Sequence, residues 1–195
     1  MFQEDPQNHQ IRAFIAAGIA DEVREKIGRL QAKLKRIEAG VKWVRPEAMH
    51  LTLRFLGNIW EDQIDLVNEA MAEATQGVLP IKIEVSGWGT FPEEKRPRVI
   101  WLGLKKGADE LIEVFDKLEP GLVERGFGPA DKRFSPHLTL GRVRGGQRLN
   151  QALRVMSSEA KASFGEYVVD HITLFRSQLN PAGAIYTALR ETPLR

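Results

Sequence analysis

Two short segments of this sequence carry the same four residues, and each begins with a histidine that can move a proton. The phrase His-Leu-Thr-Leu occurs at residues 50–53 and again at residues 137–140. Alternate side chains of a β-strand share a face, so each histidine and its threonine lie on one face and the leucines on the other. Two such strands side by side would bring two imidazoles and two hydroxyls to one small cavity. That set predicts proton transfer at a single phosphorus centre.

Histidine suits this chemistry because its ordinary pKa, ~6.5, lies close to neutrality. Opening a phosphodiester with water needs one group that deprotonates the water and another that protonates the leaving oxygen. Each such group contributes typically ~10²–10⁴-fold to the rate. His50 and His137 are the candidates for these roles. Thr52 and Thr139 are placed to donate hydrogen bonds to phosphoryl oxygens, whose charge grows in the transition state.

Two arginines near the motifs are candidates for binding the phosphate. Arg54 lies four residues after His50 and shares its face by strict alternation, so it could also reach a phosphate. Arg142 lies five residues after His137 and falls on the opposite face by the same rule. A bulge at Gly141 would reverse that, and glycine inside a strand often marks a bulge.

Hydrophobic periodicity predicts a mixture of strands and amphipathic helices around these motifs. The predicted helices are 21–38, 61–75, 109–124 and 147–159. The predicted strands are 11–17, a first motif strand closed at Gly57, 81–85, 98–104, 137–143, 167–178 and 185–190. A helix, a motif strand, a helix and paired strands occur once before about residue 90 and once after. We interpret this as an internal duplication inside one two-lobed domain spanning residues 1–195.

Composition excludes several function classes. The chain of 195 residues has 28 Lys and Arg against 26 Asp and Glu, so its formal net charge is only +2 and no overall polyanion-binding field is expected. It has no cysteine, which excludes disulfides, thiolate catalysis and cysteine metal sites. No stretch reaches the roughly 20 apolar residues that cross a bilayer, and the start is not a signal peptide. We expect a cytoplasmic protein.

The residues around both motifs resemble those of the RNA 2′,3′-cyclic phosphodiesterases, also called 2′-5′ RNA ligases, in the two-histidine phosphoesterase superfamily. The resemblance is carried by Trp-Val-x-Pro-Glu-x-x-His-Leu-Thr-Leu-x-Phe-Leu-Gly from Trp43 and by Phe-x-Pro-His-Leu-Thr-Leu-Gly-Arg from Phe134. Further similar segments lie at 12–16, 98–104, 174–179 and 183–186, so the resemblance covers nearly the whole chain.

The resemblance implies an α+β fold with two pseudo-symmetric lobes. Each lobe would be a largely antiparallel β-sheet with helices packed on its outer face, and the motif strands would face each other across a central cleft. His50 would donate a proton to the leaving oxygen, and His137 would accept one from water. The phosphate would be bound by Thr52, Thr139 and Arg142.

A third His-x-Thr segment, at residues 171–173, shows that the short motif alone does not identify the catalytic pair. An isolated histidine in a strand is more often structural than catalytic. His171 corresponds to no motif of the family that the chain resembles. We therefore interpret it as a residue without a catalytic role.

The implied activity is hydrolysis of RNA 2′,3′-cyclic phosphate ends to 2′-phosphates, without metal or other cofactor. The partners would be RNA or tRNA fragments with cyclic phosphate ends, and we expect a monomer. The reverse reaction, joining ends through a 2′-5′ linkage, uses the same atoms and stays open. The product isomer rests on the resemblance alone.

Three other functions remain alternatives. The same chemistry would serve a small cyclic nucleotide or an ADP-ribose cyclic phosphate. A non-catalytic RNA-binding module is disfavoured by the modest net charge and the few aromatic residues available for stacking. A metal hydrolase using His50 and His137 as ligands is disfavoured because no further ligands occur at the spacing of a zinc site.

Overall fold

Two antiparallel β-sheets and four α-helices dominate the described part of the chain, residues 9–159, 162–180 and 183–195 of a computed structural model, with short 3₁₀ helices at Pro46–Ala48 and Glu61–Gln63. The strands are β1 (Gln10–Ala17), β2 (Val41–Trp43), β3 (Leu51–Trp60), β4 (Ile81–Phe91), β5 (Val99–Lys106), β6 (Leu138–Val143), β7 (Ser163–Val169), β8 (His171–Asn180) and β9 (Gly183–Pro193). The helices are α1 (Asp21–Lys35), α2 (Ile64–Thr75), α3 (Ala108–Glu124) and α4 (Leu149–Glu159). This confirms the α+β class.

The two motif strands lie in different sheets. The four-stranded sheet has the order β3-β1-β8-β9, and the five-stranded sheet has the order β2-β6-β5-β4-β7. The first motif precedes and enters β3, and the second precedes and enters β6. The expected two-lobed arrangement, with one motif in each lobe, is therefore confirmed.

The helices pack on these sheets through apolar stripes that recur at helical spacing. Helix α1 packs against β7, α2 against β8, β9 and α3, and α3 against β3, β4 and β5. The motif leucines belong to the resulting core: Leu51, Leu53, Leu138 and Leu140 are all buried. Burial of the leucines on one face leaves the other face of each motif strand for polar side chains.

The predicted strand 167–178 is wrong in one respect, because it is two strands in different sheets. The chain leaves the five-stranded sheet at the end of β7 and enters the four-stranded sheet at the start of β8, with Asp170 between them. The carbonyl oxygen of Asp170 accepts a hydrogen bond from the N–H of Leu194 at 2.8 Å. No Gly or Pro marks this crossing, and apolar alternation continues through it, so the sequence pattern does not reveal the change of sheet.

Other boundaries shift by a few residues. The first motif strand continues past Gly57 to Trp60, with Gly57 at a φ of 74° inside the strand. Helix α1 ends at Lys35, and Glu38 adopts the left-handed conformation at a φ of 53° just beyond it. Among the described residues, no helix is long and apolar enough to cross a membrane.

Candidate active site

A cavity of about 270 Å³ is lined by residues from both sheets. His50 comes immediately before β3 and Thr52 lies within it, in the four-stranded sheet, and Thr139 and Arg142 come from the five-stranded sheet. The remaining lining residues include Arg12, Phe14, Phe55, Ser177, Leu179 and Tyr186. The structure thus brings four of the predicted site residues together in one cavity.

His137 is not among the lining residues of this cavity, but it lies close enough to Arg142, which does line it, for the Arg142 cation to lower the pKa of its imidazole. It comes immediately before β6 and two residues ahead of Thr139, so alternation places both side chains on the same face of the sheet. Its ring meets the ring of Phe91 edge to face, with centroids 5.0 Å apart, and its centroid lies 6.1 Å from that of Trp101. These aromatic contacts position the His137 ring on the five-stranded sheet.

The two histidines make the same local hydrogen bond. The Nδ1 of His50 lies 3.0 Å from the carbonyl oxygen of Ala48, and the Nδ1 of His137 lies 2.7 Å from that of Ser135. A carbonyl oxygen only accepts hydrogen bonds, so Nδ1 carries the proton in both rings. The Nε2 of each neutral ring is then the atom that can accept a proton from a ligand. Both motifs are therefore built to act through Nε2.

Each motif strand carries a β-bulge at the second leucine of its motif. Leu53 is an extra residue of β3 opposite β1, where β3 has a second at Leu56, and Leu140 is the extra residue of β6 opposite β5. A bulge reverses the alternation of faces. The third residue after each threonine, Phe55 in one strand and Arg142 in the other, therefore returns to the cavity face. The bulge that Arg142 requires is present, one residue before Gly141.

The bulge at Leu53 also explains why Arg54 does not reach the cavity. Arg54 lies on the opposite face of β3, where its Nε donates to the Glu119 carboxylate at 2.7 Å. Its other nitrogens donate to the carbonyl oxygens of Gly128, at 2.7 Å, and Phe55, at 2.5 Å. The strict alternation used to place Arg54 beside the phosphate does not hold past Leu53.

Gln31 supports the second bulge and was not identified from the sequence. Its side-chain amide is fully buried and donates to the carbonyl oxygens of Val44, at 2.7 Å, and Leu140, at 3.0 Å. Gln31 therefore ties α1 to the bulged residue of β6. The sequence does hold a signal for this contact. Gln31 follows Ile27 by four residues and so lies on the apolar face of α1, where a buried polar side chain needs a hydrogen-bond partner.

Aromatic rings enclose His50 on the cavity side of the four-stranded sheet. Phe14 stacks on the imidazole with centroids 4.6 Å apart, and Tyr186 meets it edge to face at 5.2 Å. Both aromatic residues line the cavity. They lie in segments that resemble the family, but no spacing rule in the sequence placed them against His50.

Comparison with known proteins identifies the family. Residues 18–101 and 102–186 each match the model of the family described as LigT like phosphoesterase. The chain belongs to the LigT-like phosphoesterase family. A relative named RNA 2′,3′-cyclic phosphodiesterase, from Archaeoglobus fulgidus, is 39% identical over 92% of this chain and 98% of its own.

Solved structures of similar proteins share the LigT-like fold over nearly the whole chain. TT0787 of Thermus thermophilus has a TM-score of 0.78 and 29% identity, covering 95% of this chain and 98% of that one. Escherichia coli LigT complexed with 3′-AMP has a TM-score of 0.77 and 26% identity, covering 95% of this chain and 99% of that one. Each of the two segments that match the family contains one His-Leu-Thr-Leu motif.

Burial sets the protonation of both histidines in this LigT-like protein. Desolvation lowers the pKa of His50 to about 4, although the hydrogen bond to Ala48 opposes the shift. Desolvation also lowers the pKa of His137, and the nearby Arg142 cation adds to the lowering while the Ser135 hydrogen bond opposes it. Both rings are therefore neutral at pH 7 in the free protein.

The low pKa of His50 predicts an acid-sensitive stability. Below pH 6.5 the unfolded chain binds a proton at this residue, whereas the folded chain does not until about pH 4, so stability falls as the pH drops across that window. The shift corresponds to a loss of about 3 kcal/mol in the free energy of unfolding between pH 7 and pH 4. Urea unfolding at several pH values should show that the loss is smaller by this amount in His50→Gln.

The matched control is His9→Gln, because the side chain of His9 is exposed. That variant should lose as much stability as the wild type between pH 7 and pH 4. An equal loss in His50→Gln and the wild type would contradict the assignment.

The third His-x-Thr segment lies at the other end of its strand. His171 begins β8, and its Nδ1 lies 2.6 Å from a carboxylate oxygen of Asp170. Ser177, the nearest cavity-lining residue of that strand, is six residues further on, roughly 20 Å along an extended chain. Thr173 is buried rather than open to a ligand. The structure thus does not bring His171 to the cavity.

The described residues contain no cluster of side chains that could hold a metal ion. No three histidine, aspartate or glutamate side chains among them lie close enough to hold one ion. Independence from metal stays a prediction.

Proposed function

We propose that this protein hydrolyses the 2′,3′-cyclic phosphate at RNA ends to a 2′-phosphate, using His50 and His137 as acid and base. The observation that carries the proposal is that polar residues of both His-Leu-Thr-Leu motifs, from two different sheets, line one cavity. Membership of the LigT-like family and the name of the Archaeoglobus relative, RNA 2′,3′-cyclic phosphodiesterase, support the same reaction.

His137 is the better placed of the two to act as base. Its Nδ1 proton is held by Ser135, so Nε2 is free to take a proton from water. The Arg142 cation favours the neutral ring, which is the form that a base requires. As Nε2 takes the proton, the water oxygen forms a bond to phosphorus.

His50 then completes the reaction as acid. The bond from phosphorus to O3′ breaks, and the proton on Nε2 of His50 passes to that oxygen, leaving the phosphate on O2′. The free His50 is neutral because it is desolvated, so it must gain this proton when the anionic phosphate enters. An opposite charge nearby favours the imidazolium and offsets the desolvation.

Thr52, Thr139 and Arg142 are the groups available to hold the phosphate. Their donors come from two sheets and converge on the cavity. Hydrogen bonds and positive charge that strengthen as the phosphoryl oxygens gain charge would lower the barrier. The same groups would serve joining, in which the O5′ of a second RNA attacks phosphorus in place of water, O3′ leaves with the proton from His50, and the phosphate stays on O2′ in a 2′-5′ linkage.

The decisive experiment supplies the purified protein with an oligoribonucleotide that ends in a 2′,3′-cyclic phosphate, in EDTA. We expect a 2′-phosphate product, identified by ³¹P nuclear magnetic resonance, at the same rate with and without the chelator. Formation of the 3′-phosphate would contradict the assigned leaving oxygen, and loss of activity in EDTA would contradict the metal-free mechanism.

The same assay separates the alternatives. Cyclic mononucleotides and an ADP-ribose cyclic phosphate serve as competing substrates, and an RNA with a 5′-hydroxyl end tests for joining. A higher kcat/KM for a small cyclic phosphate than for RNA would replace the proposed substrate. Binding of RNA without turnover of any substrate would favour a binding module.

A further inference from the structure

We infer that a second, basic cavity beside the active site binds the phosphate of the nucleotide that precedes the reacting end. This inference rests on the proposed function and extends it, because it makes an oligonucleotide the preferred substrate. The cavity measures about 470 Å³ and lies where helix α1 leads into β2. Its lining includes Lys35, Glu38, Val41, Lys42, Trp43 and Arg144.

The pairing of β2 with β6 in the five-stranded sheet shows that the two cavities are neighbours. Lys42 of β2 is the direct partner of Arg142 in β6. Residues that face each other in an antiparallel pair project to the same side, with Cβ atoms roughly 5 Å apart. Arg142 lines the active-site cavity and Lys42 lines the basic cavity. A nucleic-acid strand that leaves the active site past Arg142 therefore meets Lys42 next.

Several cations of this surface have no carboxylate partner among the described residues. In the stretches that the structure describes, Lys35, Lys42, Arg142 and Arg144 form no ion pair. The one carboxylate of the cavity, on Glu38, lies 3.8 Å from Arg148. A row of uncompensated cations attracts a polyanion.

Lysines elsewhere show the contrast. On β5, Lys105 and Lys106 both pair with Glu84, and Lys106 also pairs with Glu166 at 2.5 Å. In the lining of the basic cavity, by contrast, three cations accompany a single carboxylate.

The open edge of β2 adds backbone donors to these cations. Strand β2 is the edge strand of the five-stranded sheet, and Lys42 exchanges backbone hydrogen bonds with β6. In an antiparallel ladder the next residues on either side, Val41 and Trp43, point their N–H groups away from the partner strand. Both residues line the basic cavity. Backbone N–H groups with lysine and arginine are the usual contacts to nucleic-acid phosphates.

The test compares a short oligoribonucleotide with a nucleoside, both ending in a 2′-phosphate, as ligands of wild type and of the double variant Lys42→Ala with Arg144→Ala. Fluorescence anisotropy and competition give each Kd. We expect the Kd of the oligonucleotide to rise five- to tenfold, about the strength of two exposed ion pairs. The Kd of the nucleoside phosphate should change less than twofold. The slope of log Kd against log salt for the oligonucleotide should shrink by about 1.

A matched control removes two charges elsewhere. Lys26 on α1 and Lys117 on α3 are exposed, and Lys26 lies beside β7, at the opposite edge of the sheet from β2. Lys26→Ala with Lys117→Ala should leave both Kd values near wild type. Equal weakening by the two double variants would show a diffuse charge effect and overturn the site.

The outcomes also separate this inference from the proposed function. Normal hydrolysis of RNA ends together with unchanged oligonucleotide binding in Lys42→Ala with Arg144→Ala would overturn the basic site alone. Weakened oligonucleotide binding in a protein that hydrolyses no cyclic phosphate would overturn the proposed reaction and keep the site. Similar weakening for oligonucleotide and nucleoside would place Lys42 and Arg144 at the active site itself and overturn the separate basic site.

Discussion

Replacing His50 with alanine is expected to lower kcat for a cyclic-phosphate-ended oligoribonucleotide by about 10³-fold, and His137→Ala is expected to do the same. Each change removes one of the two Nε2 atoms through which protons move, while Thr52, Thr139 and Arg142 remain to hold the phosphate. KM should therefore change far less than kcat. The double variant should be about as slow as either single variant, because the acid and the base act in one step.

Two further measurements distinguish a lost proton carrier from a damaged fold. The imidazole ring of His50 leaves a space bounded by Phe14 and Tyr186, so added imidazole should restore part of the activity of His50→Ala. His171→Ala is the matched control, since it removes a histidine of the same His-x-Thr pattern outside the cavity. It should retain the kcat of the wild type. A near-normal kcat in either His50→Ala or His137→Ala would remove that residue from the mechanism.

The sequence predicted that His50 and Thr52 share a face, and both line the cavity; for the second motif Thr139 lines the cavity, as predicted. Repetition of an identical tetrapeptide and the simple two-residue period were enough to place His50 with Thr52 and to bring Thr139 to the same cavity. Which residues face the cavity after each threonine depends on the β-bulges, which reverse the alternation of faces. Gly141 gave a hint in one strand, whereas nothing at Leu53 marks the bulge that turns Arg54 away and brings Phe55 to the cavity.

Contacts between distant segments were the other part that the sequence did not predict. The spacing of apolar residues indicated most strands and helices, but the crossing at Asp170 and the burial of Gln31 depend on which sheet each segment joins. Sheet membership is set by tertiary packing, which local periodicity does not record. The enclosure of His50 by Phe14 and Tyr186, and hence its low pKa, arises in the same way.

Removal of the Arg54 side chain should cost about 3 kcal/mol of folding free energy, although Arg54 does not touch the cavity. Only 9% of its side chain is exposed, and Arg54→Ala leaves the Glu119 carboxylate, with 19% exposed, without its cation. Breaking one partner of a buried ion pair is far more costly than losing an exposed pair. The carbonyl oxygen of Gly128 also loses its donor. Urea unfolding at pH 7 measures the loss.

The position of this pair makes it more than a local contact. Glu119 also accepts a hydrogen bond from the N–H of Ala130, so the pair joins β3 to the segment that leads into His137. Arg54→Ala should therefore speed hydrogen exchange at the Ala130 amide and lower kcat more than it raises KM. Lysine at this position retains the charge but not the fork of donors, so Arg54→Lys should recover only part of the stability.

A double-mutant cycle isolates the interaction. Arg54→Ala combined with Glu119→Ala should be less destabilising than the sum of the two single variants, because neither charge is then left buried alone. Arg125→Ala serves as the matched control, since Arg125 pairs with the exposed carboxylates of Glu69 and Glu73 and should be much less costly to remove. Strict additivity of Arg54 and Glu119, or an Arg54→Ala loss no larger than that of Arg125→Ala, would show that the two motif strands are not coupled through this pair.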